Sequence, residues 1–181
     1  MTNDGRGGGA DAAELFTVDQ LAEISQNPDP VAYDLAGDRA ALVPEMKKGG
    51  IVTKNQISAF LANVCQETDW LKTLEEYGNE DYHRSFLGDE WWYHGRGYIM
   101  NTWLDAYQRL SDVLGVDLVS NPDLLAQDKD LAARAAVWYR NRMVLEYAGL
   151  RSRRGPGRLR RGVQPNQPGR EPAPGLDPRL E

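Results

Sequence analysis

The sequence predicts a mainly helical α+β domain with one small, irregular β element, and three observations support this fold class. Two capping boxes, Thr17 with Gln20 and Thr53 with Gln56, each precede apolar residues at helical spacing. Glycines follow several of these apolar stripes and mark helix ends. Between the helices, residues 75–98 are rich in aromatic side chains and have no helical period.

Composition and charge divide the chain into three parts. Residues 1–13 are Gly-rich and polar, and residues 149–181 contain eight Arg, three acidic residues, six Pro, six Gly and no aromatic residue. The net charge is −11 for residues 1–148 and +5 for residues 149–181, so the −6 of the whole chain averages two unlike parts. We predict a flexible N-terminus, a domain over residues 14–148, and a disordered basic tail over residues 149–181.

Several protein classes are disfavoured at once. No stretch approaches the roughly 18 apolar residues that a membrane helix needs, and the first residues do not have the basic and apolar regions of a secretory signal. Cys65 is the single cysteine and can form neither an internal disulfide nor a Cys-based zinc site alone. The expected compartment of synthesis is therefore a reducing one.

The first three helices are predicted from their caps and stripes. Thr17 begins a short helix, and a second covers about residues 38–48, with Pro44 near its start or at a kink and a Gly-Gly pair at its end. Thr53 begins the third helix, which ends shortly after Glu67. We expect this third helix in the core because one face carries Ile57, Phe60, Leu61, Val64 and Cys65.

The second half of the domain continues with less regular elements. Residues 75–98 predict short strands or an ordered loop. Thr102 is expected to cap a helix that Gly115 ends, residues 122–125 predict a turn, and a last helix covers about residues 131–147. The face of the Thr102 helix comprises Trp103, Ala106, Tyr107, Leu110, Val113 and Leu114.

Residues 67–93 concentrate carboxylates among aromatic rings. Sugar-cleaving sites use this combination, because rings stack on pyranose faces while paired carboxylates protonate the leaving oxygen and activate water. A solvated acidic surface beside core aromatics fits the same composition. Strand-like alternation would point Trp91 and Trp92 to opposite faces, so that one at most reaches a ligand.

Glu67 is the best candidate for a general acid. It follows Phe60 and Val64 on the apolar face and lies at a helix C-terminus, and both positions favour the protonated carboxyl. The base can stay ionised and solvated. Glu75 or Glu76 could supply it.

Three segments resemble glycoside hydrolase family 19, the chitinases and related phage endolysins. Residues 59–78, AFLANVCQETDWLKTLEEYG, are similar to the family pattern, which is approximately FLAxxxHETxxxxxxxEE. Residues 93–107, YHGRGYIMNTWLDAY, resemble YxGRGxIQLTxxxNY, and residues 115–139 resemble GxDLxxNPxLxxxDxxxAxxxAxWF. The resemblance covers about residues 38–140 in order.

The resemblance implies roles for individual residues. Glu67 matches the family's general acid, Glu76 its general base, and Thr102 the position that helps hold the nucleophilic water. The implied fold is a lysozyme-like, two-lobed helical domain, and the implied mechanism inverts the anomeric configuration without metal or cofactor. Residues implied or expected to contact substrate are Trp70, Trp92, Tyr93, Arg96 and Tyr107. This chain has Gln66, Met100 and Ala106 where the family has His, Gln and Asn.

These observations predict a phage-type endolysin that hydrolyses β-1,4 bonds of bacterial peptidoglycan. It would be a monomer in the host cytoplasm until its release to the cell wall, with no nucleic-acid or membrane partner. A chitinase and a noncatalytic glycan-binding or virion-associated module are the alternatives. The spacing of His83, His94, Asp81 and Asp89 disfavours a metal site.

Overall fold

The computed structural model describes residues 14–26 and 29–153, with side chains to residue 144. The predictions for residues 1–13 and for the tail beyond residue 153 lie outside this range. Within it, the chain forms seven α-helices, a 3₁₀ helix over Gly88–Tyr93, and isolated β-bridges joining Glu75 to Arg96 and Arg96 to Asn101. The mainly helical fold class is confirmed. The helices are α1 Val18–Ile24, α2 Leu35–Lys48, α3 Lys54–Glu67, α4 Glu80–Leu87, α5 Leu104–Leu114, α6 Leu124–Gln127 and α7 Lys129–Arg153.

The first three helices follow the sequence prediction closely. Both capping boxes form, at Thr17 for α1 and at Thr53 for α3, and α3 ends at Glu67 as expected. Helix α2 begins three residues earlier than predicted, because the Asp34 carboxylate accepts a hydrogen bond from the Gly37 N–H and caps it. Pro44 lies inside α2 rather than near its start.

The prediction of strands or a loop over residues 75–98 was wrong for its middle part. Residues 80–87 form α4, which Asn79 caps by accepting a hydrogen bond from Tyr82 N–H. The helical period is hidden in the sequence because α4 buries only His83 and Leu87, one turn apart. The 3₁₀ helix that follows also replaces the expected strand alternation at Trp91 and Trp92.

Thr102 does not cap α5. Its hydroxyl donates a hydrogen bond to the Met100 carbonyl. The helix begins at Leu104, whose N–H donates a hydrogen bond to the Glu90 carboxylate. Gly115 ends α5 in the left-handed conformation, as expected. The predicted turn near residue 124 is α6, and α7 extends beyond the predicted helix at both ends.

Two hydrophobic cores meet at α7. One contains α1, α2, α3 and Tyr98, and the other contains α5, Leu118 and Leu125. Helix α7 contributes to both, because Ala132 and Ala136 pack into the first core while Leu131 and Ala135 pack into the second. Its small side chains allow this close approach from two sides, which produces the expected two-lobed arrangement.

A buried ion pair fixes the start of α7 against α2. Lys129 Nζ lies 2.8 Å from an oxygen of Asp38 and 2.8 Å from one of Asp34. The Tyr98 hydroxyl donates to the same Asp38 carboxylate at 2.7 Å. Burial raises the pKa of Asp38 and of Tyr98. The Asp38 carboxylate thereby connects α2 to the start of α7 and to the turn that carries Tyr98.

None of the helices within the described ranges has the length and apolar character needed to cross a membrane.

Candidate active site

An open groove of about 580 Å³ contains the residues that the sequence identifies as acid and base. Glu67 comes from the end of α3, Glu75 and Glu76 from the segment before α4, and Thr102 from the segment before α5. The groove is lined by Gln66, Glu67, Asp69, Trp70, Thr73, Glu75, Glu76, Tyr77, Met100 and Thr102. The structure therefore brings the three predicted catalytic residues and Trp70 together.

Glu67 is exposed in this groove, so the prediction that it continues the buried face was wrong. The buried stripe of α3 runs through Leu61, Val64 and Cys65 and continues at Thr68. Thr68 takes the buried place, and Glu67 lies beside the stripe, facing solvent. The apolar surroundings expected for the acid are therefore not present at this position.

The turn after Glu67 is held by the buried Thr68 hydroxyl. It donates to the Val64 carbonyl at 2.7 Å and accepts from Leu71 N–H at 2.9 Å. Asp69, Trp70 and Leu71 all have positive φ, which is costly for residues other than glycine. Such strain persists where the surroundings impose it and is common at functional sites. Here it presents the Trp70 ring, 40% exposed, to the groove.

Glu76 is pinned to the first glycine of the Gly95-Arg96-Gly97 turn. Its N–H donates to the Gly95 carbonyl at 2.8 Å, and its Oε2 accepts from Gly95 N–H at 2.9 Å. A Cβ on Gly95 would lie 3.1 Å from Met100 Cβ and 3.2 Å from Glu76 Oε2. This close approach explains why glycine stands at position 95.

Glu75 is bound differently, in ion pairs. Its Oε1 lies 2.9 Å from His94 Nε2 and 3.6 Å from Arg96 Nε. His94 is also within 3.2 Å of the Trp91 carbonyl through Nδ1, so both of its ring nitrogens face oxygen acceptors. Each of these contacts is a hydrogen bond only where the ring nitrogen carries a proton, because both oxygens only accept.

A second histidine stacks on the first. The rings of His83 and His94 lie 4.1 Å apart with an angle of 10° between their planes. Burial, and then the charge of His94, lower the pKa of His83. His83 Nδ1 lies 4.0 Å from Glu76 Oε2.

Four of the expected substrate-contact residues do not line the groove. Arg96 and Tyr107 are buried behind it: Arg96 donates to the Trp92 carbonyl and to the Tyr107 hydroxyl and pairs with Asp123 at 2.8 Å. Burial raises the pKa of Tyr107 to about 12. Their positions correspond to a structural role. Tyr93 packs in the second core, and Trp92 is exposed outside the residues that line the groove.

A second cavity of about 490 Å³ continues the groove past Met100 and Thr102, which line both. Its walls include Trp103, Trp138 and Tyr139 with Arg109 and Arg142. Arg109 pairs with Asp105 at 2.8 Å, and the Arg142 guanidinium lies 5.5 Å from the centroid of the Trp138 ring. Ala106, at the family's Asn position, also lies in this wall. We call this cavity the arginine extension, and it differs from the carboxylate-lined groove in the sign of its charge.

Among the side chains that the structure describes, in residues 14–26 and 29–144, no three His, Cys, Asp or Glu approach closely enough to hold a metal ion.

Sequence analysis did not identify Thr68, His83 or His94 as functional residues. Thr68 directly follows Glu67 and continues the buried stripe of α3, and this spacing is a signal by which the sequence could have identified it. The two histidines come together only because α4 folds back onto the Gly95-Arg96-Gly97 turn. No spacing in the sequence indicates that contact.

Comparison with known proteins gives consistent matches. The family described as Chitinase class I matches residues 45–145. Endochitinase 1 of Theobroma cacao is 43% identical over 150 residues, covering 73% of this chain and 43% of that protein. Inactive chitinase-like protein 1 of Hevea brasiliensis is 43% identical over 47 residues, covering 26% of this chain and 15% of that protein.

Solved structures agree with the sequence matches. Chitinase C from Streptomyces griseus superposes with a TM-score of 0.58 at 27% identity, covering 72% of this chain and 68% of that chain. This chain spans less than half the length of the curated relatives that it matches.

Proposed function

This chain belongs to glycoside hydrolase family 19, chitinase class I, and on that premise we propose that it hydrolyses β-1,4 bonds of an N-acetylhexosamine polymer. The observation that carries the proposal is that Glu67 and Glu76 line one open groove with Trp70 and Thr102. Two carboxylates beside an exposed aromatic ring are the arrangement that glycosidases use. Glu67 and Glu76 are also the residues that match the family's acid and base.

The chemistry assigned to the groove is a single displacement. Glu67 gives its proton to the leaving glycosidic oxygen, while Glu76 takes a proton from a water that attacks the anomeric carbon from the opposite face. At the anomeric carbon, the C–O bond to water forms as the C–O bond to the leaving group breaks. Because the water attacks from the opposite face, the configuration at this carbon inverts. Thr102 lies in the groove wall and would hydrogen-bond the water or the sugar.

Glu76 is favoured over Glu75 as the base because their contacts differ. Glu75 is held in ion pairs with His94 and Arg96. Glu76 Oε2 accepts one backbone N–H, and no described residue forms a hydrogen bond with its Oε1. This oxygen is available to the attacking water.

For the polymer, we propose bacterial peptidoglycan, which would make the protein a phage-type endolysin released to the wall from the host cytoplasm. The arginine extension supports this choice. Its charged residues are Arg109, Arg142 and Asp105, whereas the groove carries four carboxylates, Glu67, Asp69, Glu75 and Glu76. Peptidoglycan carries lactyl-linked peptides with carboxylates, which guanidinium groups bind well, whereas chitin is uncharged.

A noncatalytic, glycan-binding module is the second candidate. Met100 and Ala106 stand at the wall where the family pattern has Gln and Asn, so this wall has lost two polar groups. Such a module would keep the groove's sugar contacts without turnover.

Mass spectrometry of digests of purified peptidoglycan and of chitin oligosaccharides tests the proposal. We expect fragments cleaved at β-1,4 bonds from peptidoglycan. The double variant Arg109→Gln/Arg142→Gln should cleave peptidoglycan about 10-fold more slowly, the effect of losing contacts of about 1.4 kcal/mol in total. It should leave any chitin oligosaccharide cleavage unchanged, and Lys54→Gln, a charge loss away from the groove, should alter neither rate.

Three outcomes would contradict parts of the proposal. Cleavage of chitin alone would show a chitinase. Binding to wall glycan with no reducing ends from either polymer would show the noncatalytic module. Equal peptidoglycan rates for the double variant and Lys54→Gln would remove the role of the arginine extension.

A further inference from the structure

The buried side chain of His83 has one ring nitrogen for which no described residue provides a hydrogen-bond partner. It is 3% exposed, and its Nδ1 has no hydrogen-bond partner among the residues that the structure describes. An unsatisfied buried polar atom destabilises the fold, so such atoms call for an explanation. The nearest acidic oxygen is Oε2 of Glu76, 4.0 Å from Nδ1.

The surroundings of His83 keep its ring neutral. His94 stacks on it, and both ring nitrogens of His94 lie against oxygen acceptors. Positive charge on the His94 ring, 4.1 Å away, disfavours positive charge on His83. The other charged groups that face His83 are Glu75 and Glu76 from the segment before α4 and Arg96 from the glycine turn. Burial and the charge of His94 lower the pKa of His83.

A neutral imidazole carries a proton on one of its two ring nitrogens, and the neighbouring Glu76 carboxylate determines which nitrogen that is. Because Nδ1 faces an oxygen that only accepts hydrogen bonds, the tautomer protonated at Nδ1 is favoured. The distance is about 1 Å longer than a hydrogen bond. Catalytic hydrogen bonds are often long in the free enzyme and shorten when substrate is bound.

We propose that His83 is a positioning residue for the base, donating its Nδ1–H to Oε2 of Glu76 when glycan occupies the groove. This inference rests on the proposed function. Oε2 then accepts two hydrogen bonds, from Gly95 N–H and from His83, and the carboxylate cannot rotate. Its Oε1 is left as the oxygen that takes the proton from water. His94 contributes indirectly: its ring stacks on His83 and helps to lower the pKa of His83, and its Nε2 lies 2.9 Å from Glu75 Oε1.

Two substitutions of His83 separate positioning from packing. His83→Phe keeps an aromatic ring for the stack with His94 and for the edge contacts with Tyr82 and Phe86, but it has no N–H. His83→Asn loses the ring, yet its amide places an N–H close to the position of Nδ1. If His83 only fills space, Phe should be the better replacement. If His83 positions Glu76, Asn should be the better replacement.

The rates of polymer cleavage decide between them. We expect His83→Phe to lower kcat about 10-fold with KM unchanged, and His83→Asn to retain kcat within about 3-fold of the original protein. Thermal unfolding of both variants controls for loss of fold. A Phe variant with full kcat, or an Asn variant as slow as the Phe variant, would overturn the proposal.

Nitrogen-15 NMR of the histidine rings provides a test that does not depend on the variants. In the original protein with a chitin oligosaccharide or wall fragment bound, His83 should be protonated at Nδ1. A His83 ring protonated at Nε2 would contradict the inference. If the original protein cleaves no polymer, the proposed function fails; if it does cleave and the Phe variant cleaves equally well, only this inference fails.

Discussion

At the scale of single residues, Thr68 shows how one buried hydroxyl holds the turn that follows Glu67. Its hydroxyl connects the end of α3 to the strained turn of Asp69, Trp70 and Leu71. Without that hydroxyl, Leu71 N–H loses its partner and the positive φ angles lose their support. The turn carries Trp70 into the groove, so the same bond serves the fold and the site.

Thr68→Val should therefore destabilise the protein although its shape barely changes. We expect a loss of about 2 kcal/mol in the free energy of unfolding, because the Leu71 N–H is left unsatisfied in the interior. Thr68→Ser keeps the hydroxyl and loses one methyl group, which costs about 0.8 kcal/mol. Urea unfolding measures both variants. A Val variant more stable than the Ser variant would show that the hydroxyl does not hold the turn.

The positions of single residues could be predicted from the sequence where a motif fixes them. They could not be predicted where contacts between distant parts of the chain fix them. Glu67, Glu76, Thr102 and Trp70 were expected in one site, and they line one groove. The burial of Glu67 was wrong because α3 ends there and Thr68 takes the buried place. The ion pairs of Glu75 depend on a fold-back of the chain that no local spacing encodes.

At the scale of elements, capped helices were predictable and the α4 region was not. Helices α1 and α3 both carry capping boxes, and both begin where those boxes predict; α3, which also has a buried apolar stripe, ends at Glu67 as expected. Helix α4 has a single Asn cap and buries two residues, His83 and Leu87, so its aromatic and acidic residues obscure the period. Its position nevertheless matters, because α4 places His83 Nδ1 4.0 Å from Oε2 of Glu76, the proposed base.

Lys129, at the start of α7, provides the element-scale prediction. Lys129→Met leaves the buried Asp38 carboxylate without its cation and also removes the bond to the Asp34 carbonyl. We expect a loss of about 3 kcal/mol in the free energy of unfolding, the usual effect of breaking a buried pair.

The matched control is Lys48→Met at the end of α2. Lys48 pairs with Glu45 on the surface, with 70% of its side chain exposed, and such pairs contribute less than about 1 kcal/mol. Urea unfolding should separate the two variants clearly. Equal losses would show that the Lys129 pair does not connect α2 to α7.

At the scale of the whole molecule, two hydrophobic cores share α7, and the groove and the arginine extension differ in charge. The acidic residues that make residues 1–148 negative include the four groove carboxylates, and the arginine extension lies next to them. Sequence composition indicated the acidic cluster but not this contrast, because Arg109 and Arg142 come from α5 and α7 and meet only in the folded chain. The groove and the arginine extension therefore differ in the sign of their charge.

The central claim is that Glu67 and Glu76 act as the acid and base, and parallel cleavage assays of three variants test it most directly. Glu67→Gln, Glu76→Gln and Glu75→Gln each replace a groove carboxylate by a neutral side chain of the same shape. The measurement is the rate of reducing-end release from the polymer that the original protein cleaves, on variants shown to be folded. We predict a loss of at least about 100-fold for Glu67→Gln and Glu76→Gln and a loss of less than about 10-fold for Glu75→Gln. A Glu67→Gln variant with unchanged turnover, or a Glu75→Gln variant slower than Glu76→Gln, would contradict the account.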